Sequence, residues 1–188
     1  MTSAGSLARD GLLRLFLALR LPDDALERLV AWQRRELGRA RIVPRDNLHL
    51  TLAFLGSRPE GELQPVLDLL ARLARDADPA ALEVTGYRET LSVGMLTLRD
   101  ASGAATALAE RLHDELEELG VYRREARAWL PHVTVLRFRE RPRLRPAPPE
   151  LGWVSSDAAA FLSRLHPSGA SYTALESFRL PPFVNRSH

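Results

Sequence analysis

Leucine alternates with other residues near the start of the chain, and this pattern predicts a β-strand. Every odd position from Leu13 to Leu21 is leucine, whereas Arg14 and Arg20 lie at even positions. One face of this strand is therefore expected to lie in the core. Comparable patterns predict further strands at about 47–55, within 82–99 (two or three short ones), at 132–138, at 159–165 and at 172–180.

Apolar residues spaced three and four positions apart predict three amphipathic helices. The first begins after Pro22, with acidic residues in its first turn, and ends near Gly38; the others span 59–76 and 104–119. Four prolines within 141–149 predict an exposed loop. Because strands and helices mix without strict βαβ alternation, the predicted fold class is α+β.

The length of 188 residues fits one domain. We expect a flexible leader at 1–10, a single folded domain at 11–181 and a short tail at 182–188. No uncharged run exceeds 11 residues, well below the ~20 that a membrane-spanning helix needs. The protein is therefore expected to be cytoplasmic, with no membrane partner.

Composition excludes several kinds of site. Cysteine is absent and all 26 basic residues are arginine, which rules out disulfide scaffolds, cysteine nucleophiles and sites that need a lysine. The formal net charge is only +2, so the composition does not indicate a general nucleic-acid-binding surface.

Two similar stretches, His49-Leu-Thr-Leu and His132-Val-Thr-Val, lie in two of the predicted strands. In each strand the histidine and threonine point to one face and the apolar residues to the other. A single copy of this pattern is typical of ordinary half-buried packing, but two copies in matched surroundings favour a function. If a pseudo-twofold axis relates the two halves, both pairs face one cleft.

Two imidazoles and two hydroxyls in one cleft are suited to phosphoester chemistry. A neutral imidazole can accept a proton from water while a protonated one gives a proton to a leaving oxygen. Threonine hydroxyls can donate hydrogen bonds to phosphate oxygens. A two-histidine metal site is the alternative, but no acidic residue or further histidine recurs beside either stretch as a third ligand. We therefore expect no metal and no cofactor.

The paired stretches resemble those of the 2H phosphoesterase superfamily, and their flanks resemble its RNA 2′,3′-cyclic phosphodiesterases, also labelled 2′-5′ RNA ligases. The resemblance covers about residues 12–181. It is carried by Arg14-Leu-Phe-Leu-Ala-Leu, Asn47-Leu-His-Leu-Thr-Leu-Ala-Phe-Leu-Gly56, Trp129-Leu-Pro-His-Val-Thr-Val-Leu-Arg137 and Gly169-Ala-Ser-Tyr172.

The resemblance implies a bilobal α+β fold, with two antiparallel sheets and outer helices related by a pseudo-twofold axis around a central cleft. It implies an enzyme that opens RNA 2′,3′-cyclic phosphate ends to a 2′-phosphate and a free 3′-hydroxyl, and that in reverse forms a 2′-5′ linkage. His49 would be the proton donor, His132 the proton acceptor, and Thr51 and Thr134 phosphate-binding residues. The expected partners are RNA ends such as those of tRNA fragments, bound by a monomer.

Arg137 follows the second histidine by five residues, where the resemblance implies a phosphate contact. Strict alternation puts Arg137 on the face opposite His132, so it reaches the cleft only through a bulge or at the end of the strand. In unbroken alternation Phe54 lies on the same face as Leu50 and Leu52, so it is predicted to be a core residue. Trp129 is the better candidate for stacking on a base.

The remaining histidines are expected to lie outside the site: His113 on a helix face, His166 in a turn and His188 at the terminus. Arginines near 123–127 and 137–145 flank the second stretch and would be available to RNA phosphates. Alternative substrates are a small cyclic nucleotide, an ADP-ribose cyclic phosphate or a 2′-5′-linked oligonucleotide. The other alternative is a non-catalytic RNA- or nucleotide-binding module, which would not require the two intact histidines.

Overall fold

A computed structural model describes residues 11–38, 41–167 and 169–182. The predicted leader at 1–10, most of the predicted tail and His188 lie outside the described residues, so the division into leader, domain and tail stays a prediction.

The described chain forms eight strands and three α-helices, which confirms the α+β fold class. The strands are β1 (Leu12–Arg20), β2 (His49–Pro59), β3 (Ala80–Glu89), β4 (Val93–Asp100), β5 (His132–Arg137), β6 (Gly152–Ser155), β7 (Asp157–His166) and β8 (Gly169–Arg179). The helices are α1 (Asp23–Glu36), α2 (Leu63–Asp76) and α3 (Ala104–Glu118), with 3₁₀ turns at Arg45–Asn47 and Glu60–Glu62.

All strands within the described residues belong to one curled antiparallel sheet, in the order β6-β3-β4-β5-β2-β1-β7-β8. The prediction of two separate sheets is therefore wrong. The described pairing between β2 and β5 is a single position, Leu50 with Val133, which joins two four-stranded halves. Beyond it the strands diverge, because Val135 and Arg137 of β5 pair with the segment 41–43 instead. The pseudo-twofold relation between the halves stays a prediction.

The two faces of the sheet are covered differently. The predicted leucines of β1 are buried in the main core with residues of all three helices, including the fully buried Trp32 and Leu70. On the opposite face Phe16 packs in a second, smaller cluster that Tyr172 partly covers. β1 is thus buried on both faces, and the smaller cluster forms the floor beside which the two histidine stretches lie.

The proline-rich loop between β5 and β6 is irregular, as predicted, and a buried carboxylate fixes it. Glu89 accepts hydrogen bonds from the backbone N–H groups of Arg143 (3.0 Å) and Leu144 (2.8 Å) and from Arg141 Nε (3.1 Å). Burial alone would raise the pKa of Glu89, but these hydrogen bonds outweigh it and keep the pKa below its ordinary value.

Helices α1 and α3 each contact the strand of the opposite half. Gln33 of α1 donates a hydrogen bond to the carbonyl of Val135 in β5 (2.8 Å), and His113 of α3 donates one to the carbonyl of Leu52 in β2 (2.8 Å). Both side chains are buried. None of the described helices has the length and apolar character of a membrane span.

Candidate active site

The single paired position between β2 and β5 brings the two histidine stretches together. Leu50 pairs with Val133 in an antiparallel register, so His49 lies beside Thr134 and Thr51 beside His132. Both histidines and both threonines therefore flank this junction, on the face away from the main core.

Both imidazoles are oriented by the backbone just before them. His49 Nδ1–H donates to the carbonyl of Asn47 (2.8 Å), and His132 Nδ1–H donates to the carbonyl of Leu130 (2.8 Å). Because a carbonyl can only accept, Nδ1 carries the proton in each ring and Nε2 is left for chemistry. The carbonyl two residues upstream thus fixes the tautomer of both histidines.

His49 has a strongly altered acidity. Its pKa is lowered to about 4, chiefly by burial, with smaller electrostatic contributions from Arg137 and His132, while the hydrogen bond to the Asn47 carbonyl opposes the shift. His49 Nε2 lies 3.1 Å from the hydroxyl of Thr51, which can donate to the neutral ring. Without a ligand, His49 is therefore neutral at pH 7.

A small aromatic cluster surrounds the His49 ring. The ring centroid lies 4.7 Å from Phe16, 5.4 Å from Tyr172, which approaches edge-on, and 6.1 Å from Phe161. Sequence reasoning did not assign a role to these aromatic residues. Phe16 could have been identified from the sequence as a residue near the site, because it shares the even positions of β1 with Arg14 and Arg20, on the face opposite the leucines.

A β-bulge in β5 brings Arg137 to the histidine face. Thr134 pairs with Met95 and Leu136 with Gly94, so Val135 is the extra residue. Arg137 is exposed, and its Nη2 lies 3.4 Å from the hydroxyl of Tyr172. The bulge is one of the two ways in which Arg137 was expected to reach this face, and its contact with a phosphate stays a prediction.

β2 has a matching bulge, which makes the prediction for Phe54 wrong. Ala53 pairs with Leu17 and Thr51 with Ala18, so Leu52 is the extra residue. Phe54 is 47% exposed instead of buried in the core. The alternation that predicts a core position for Phe54 holds only as far as Thr51.

Two backbone carbonyls at the β2 bulge accept hydrogen bonds from side chains. Trp129 Nε1 donates to the carbonyl of Thr51 (3.1 Å), and His113 donates to that of Leu52. His113 lies on a helix outside the site, as predicted, and it is buried and stacked on Tyr122. Trp129 packs partly against the main core, and stacking on a base stays a prediction for it.

Other predicted residues lie away from the junction. His166 ends β7 and is exposed, rather than lying in a turn. Among the residues that the structure describes, no three histidine, aspartate or glutamate side chains cluster in a way that would hold a metal ion.

The chain is similar to several known proteins. The sequence profile of the 2′-5′ RNA ligase superfamily matches residues 21–166. The chain is 37% identical over 179 residues to a Thermus thermophilus protein named RNA 2′,3′-cyclic phosphodiesterase, covering 89% of this chain and 90% of that one. It is 30% identical over 172 residues to an Escherichia coli protein of the same name, covering 89% and 96%.

The fold has also been observed in solved structures. The crystal structure of Escherichia coli LigT complexed with 3′-AMP matches with a TM-score of 0.78 and 26% identity, covering 90% of this chain and 98% of that one. The family match covers most of the chain and includes both histidine stretches. The chain therefore belongs to the 2′-5′ RNA ligase superfamily.

Proposed function

We propose that the protein is a phosphodiesterase that opens the 2′,3′-cyclic phosphate at an RNA end, giving a 2′-phosphate and a free 3′-hydroxyl. The observation that carries the proposal is the pair of imidazoles on neighbouring strands, each with Nδ1 fixed by a backbone carbonyl and Nε2 available. The names of the relatives support the substrate, and the 3′-AMP bound to LigT supports a nucleotide ligand.

In the proposed mechanism, His132 Nε2 takes a proton from a water molecule as the water oxygen attacks phosphorus. The bond from phosphorus to the 3′-oxygen breaks, and protonated His49 gives its Nε2 proton to that oxygen. Thr51, Thr134 and Arg137 stabilise the charge that builds up on the non-bridging oxygens. One proton enters at His132 and one leaves at His49, so proton exchange with water restores the site.

The low pKa of His49 requires an explanation if this residue is the proton donor. In the free protein the ring is neutral, with burial and the nearby positive charge of Arg137 opposing a further charge. A phosphate bound between the two stretches is negative, and it would favour the imidazolium form and raise the pKa. We infer that substrate binding itself charges His49.

The proposed partners are RNA ends, including those of tRNA fragments, bound by a monomer. Ligation is the same chemistry in reverse: the 5′-hydroxyl of a second RNA would attack the cyclic phosphate where water attacks in hydrolysis. The exposed arginines after Arg137 would bind phosphates further along the chain.

The test is incubation of a short RNA that bears a 2′,3′-cyclic phosphate with the protein in EDTA, followed by assignment of the product phosphate. We expect a 2′-phosphate, and turnover reduced by at least about 100-fold in both His49→Ala and His132→Ala. His166→Ala is the matched control and should retain activity. A 3′-phosphate product would contradict the assignment of the leaving oxygen, and full activity in either histidine variant would contradict the mechanism.

A further inference from the structure

A cavity of about 410 Å³ opens where β5 ends. Its volume lies in the range of pockets that bind small molecules, roughly 300–1,000 Å³. The wall of the cavity is mostly apolar but includes three arginines; the lining residues are Arg41, Leu136, Arg137, Phe138, Arg139 and Pro142. No carboxylate of the described residues lines it. This combination of apolar surface and positive charge suits a ligand in which a flat, weakly polar group adjoins an anion.

Arg137 connects this cavity with the candidate active site. It lines the cavity, and its Nη2 also lies 3.4 Å from the hydroxyl of Tyr172, whose ring approaches His49 edge-on. Because β2 and β5 run antiparallel at their paired position, His49 lies toward the Arg137 end of the junction and His132 toward the other end. The cavity therefore adjoins the end of the site at which His49 would protonate the leaving 3′-oxygen.

Two sets of backbone hydrogen bonds fix the wall of the cavity. The N–H of Arg137 donates to the carbonyl of Arg41 (3.0 Å), and the N–H of Arg143 donates to the buried carboxylate of Glu89 (3.0 Å). Arg143 has a φ of 56°, in the left-handed region that residues other than glycine rarely adopt. Backbone strain of this kind is concentrated at functional sites. A wall that is already fixed also reduces the entropy lost when a ligand binds.

Arg139 supplies a positive charge that has no partner within the described chain. Its side chain is exposed, with no hydrogen-bond partner and no carboxylate within 4 Å among the described residues. Arg141, two residues further on, is instead paired with Glu89. An unpaired guanidinium at the edge of an apolar cavity can bind a phosphate group through two parallel hydrogen bonds.

We propose that this cavity binds the nucleotide immediately upstream of the one that carries the cyclic phosphate; the choice of RNA as the ligand rests on the proposed function. The leaving 3′-oxygen and the upstream phosphate belong to the same ribose, so an RNA whose 3′-oxygen lies at His49 continues from that end of the junction. Arg139 binds the phosphate that joins the two nucleotides, and the upstream base packs against the apolar wall.

The test compares three ligands that share an adenosine 3′-phosphate. They are 3′-AMP, adenosine 3′,5′-bisphosphate, which adds the upstream phosphate, and the dinucleotide ApAp, which adds the whole upstream nucleotide. By calorimetry we expect the wild-type protein to bind the bisphosphate about fivefold more tightly than 3′-AMP. We expect it to bind ApAp about tenfold more tightly than the bisphosphate, because only ApAp places a base in the cavity.

Substitution of Arg139 tests the phosphate contact. Arg139→Gln should reduce the preference for the bisphosphate over 3′-AMP to less than about twofold, whereas Arg139→Lys keeps the charge and should retain most of it. Arg75→Gln is the matched control, because this exposed arginine lies on α2, which packs against the opposite face of the sheet. It should leave both preferences unchanged.

Equal affinity of the wild-type protein for ApAp and the bisphosphate, or an unchanged preference for the bisphosphate in Arg139→Gln, would overturn the proposal. Binding does not depend on turnover, so this proposal and the proposed function can fail separately. If ApAp is preferred as expected but cyclic phosphates are not opened, the upstream site stands and the proposed reaction is wrong. If cyclic phosphates are opened but the three ligands bind equally, the reaction stands and the upstream site is wrong.

Discussion

The two imidazoles of the site lie in different surroundings although the stretches that contain them are alike. His49 is packed among aromatic rings, whereas His132 lacks such a cluster within the described residues. This asymmetry would allow two similar residues to take the different roles in proton transfer that we propose. It arises from Phe16, Phe161 and Tyr172, which belong to strands distant in sequence.

Phosphate binding should raise the pKa of His49. In the free protein the pKa is about 4, so the ring carries a proton only below that pH. A bound anion stabilises the charged form and should move the transition towards neutral pH. Titration of the ring nitrogens by NMR, with and without 3′-AMP, measures both values. An unchanged pKa in the complex would contradict the role of His49 as the proton donor.

Removal of the positive charge at residue 137 should have two effects. Arg137→Gln should lower kcat/KM by about 10- to 100-fold, because a charged hydrogen-bond donor to the phosphate is lost. It should also raise the pKa of His49, since Arg137 is one of the charges that lower it. The pH dependence of kcat/KM and the NMR titration report the two effects. Arg164→Gln, remote on β7, should change neither.

At the level of single residues, the sequence pattern predicted that both histidines and both threonines share one face, because period two holds from His49 to Thr51 and from His132 to Thr134. It failed at Phe54 because the next residues form a bulge. This bulge depends on contacts with another strand and on side-chain donors such as His113, which the local pattern does not reveal.

Each of the two bulges accepts a hydrogen bond from a buried side chain of a helix, from Gln33 at the β5 bulge and from His113 at the β2 bulge. Gln33→Leu removes the donor to the carbonyls of Val135 and Val43, and we expect it to lower the free energy of unfolding by about 1–3 kcal/mol. The β5 bulge directs Arg137 to the histidine face, and this substitution weakens the bulge. The KM for the cyclic phosphate should therefore rise by a larger factor than kcat falls. Urea unfolding and steady-state kinetics measure these effects.

The matched control is Gln64→Leu on the exposed surface of α2, where the amide bonds only Asp68 within the described residues. This change should alter stability by less than about 0.5 kcal/mol. If Gln33→Leu lowers stability but leaves both kinetic constants unchanged, the bulge does not depend on this hydrogen bond.

The loop after β5 depends on the carboxylate of Glu89. Because its pKa is lowered in the folded protein, the stabilisation is present above the ordinary carboxyl pKa and is lost as pH falls through the lowered value. Glu89→Leu should free the loop at neutral pH. Trypsin should then cut after Arg139 and Arg143, since Arg141 and Arg145 precede prolines. Glu140→Leu should leave the loop resistant, and equal resistance in Glu89→Leu would contradict this anchoring.

The helices were largely predictable from apolar spacing, and their observed bounds lie close to the predicted ones. α2 begins at Leu63 instead of residue 59 because Glu60–Glu62 form a 3₁₀ turn. The strand β6 was missed, since its four residues follow the proline-rich loop and pair only with β3 within the described chain. Short edge strands have little pattern of their own.

For the whole molecule, the mixture of strands and helices was enough to predict the class but not the number of sheets. A single paired position, Leu50 with Val133, decides whether the halves form one sheet or two. No periodicity in the sequence encodes such a contact. The same position also sets the distance between the histidines, so the least predictable feature of the fold is the one that builds the site.

The contacts of α1 and α3 with strands of the opposite half have a consequence for the synthesis of the protein. The hydrogen bond from Gln33 spans 102 residues and that from His113 spans 61, so neither bulge can be held until distant parts of the chain meet. Non-local contacts of this kind form late in folding. A growing chain on the ribosome would complete the first histidine strand long before its helix emerges. Catalytic competence should therefore appear abruptly near the end of synthesis, and neither half alone should acquire it.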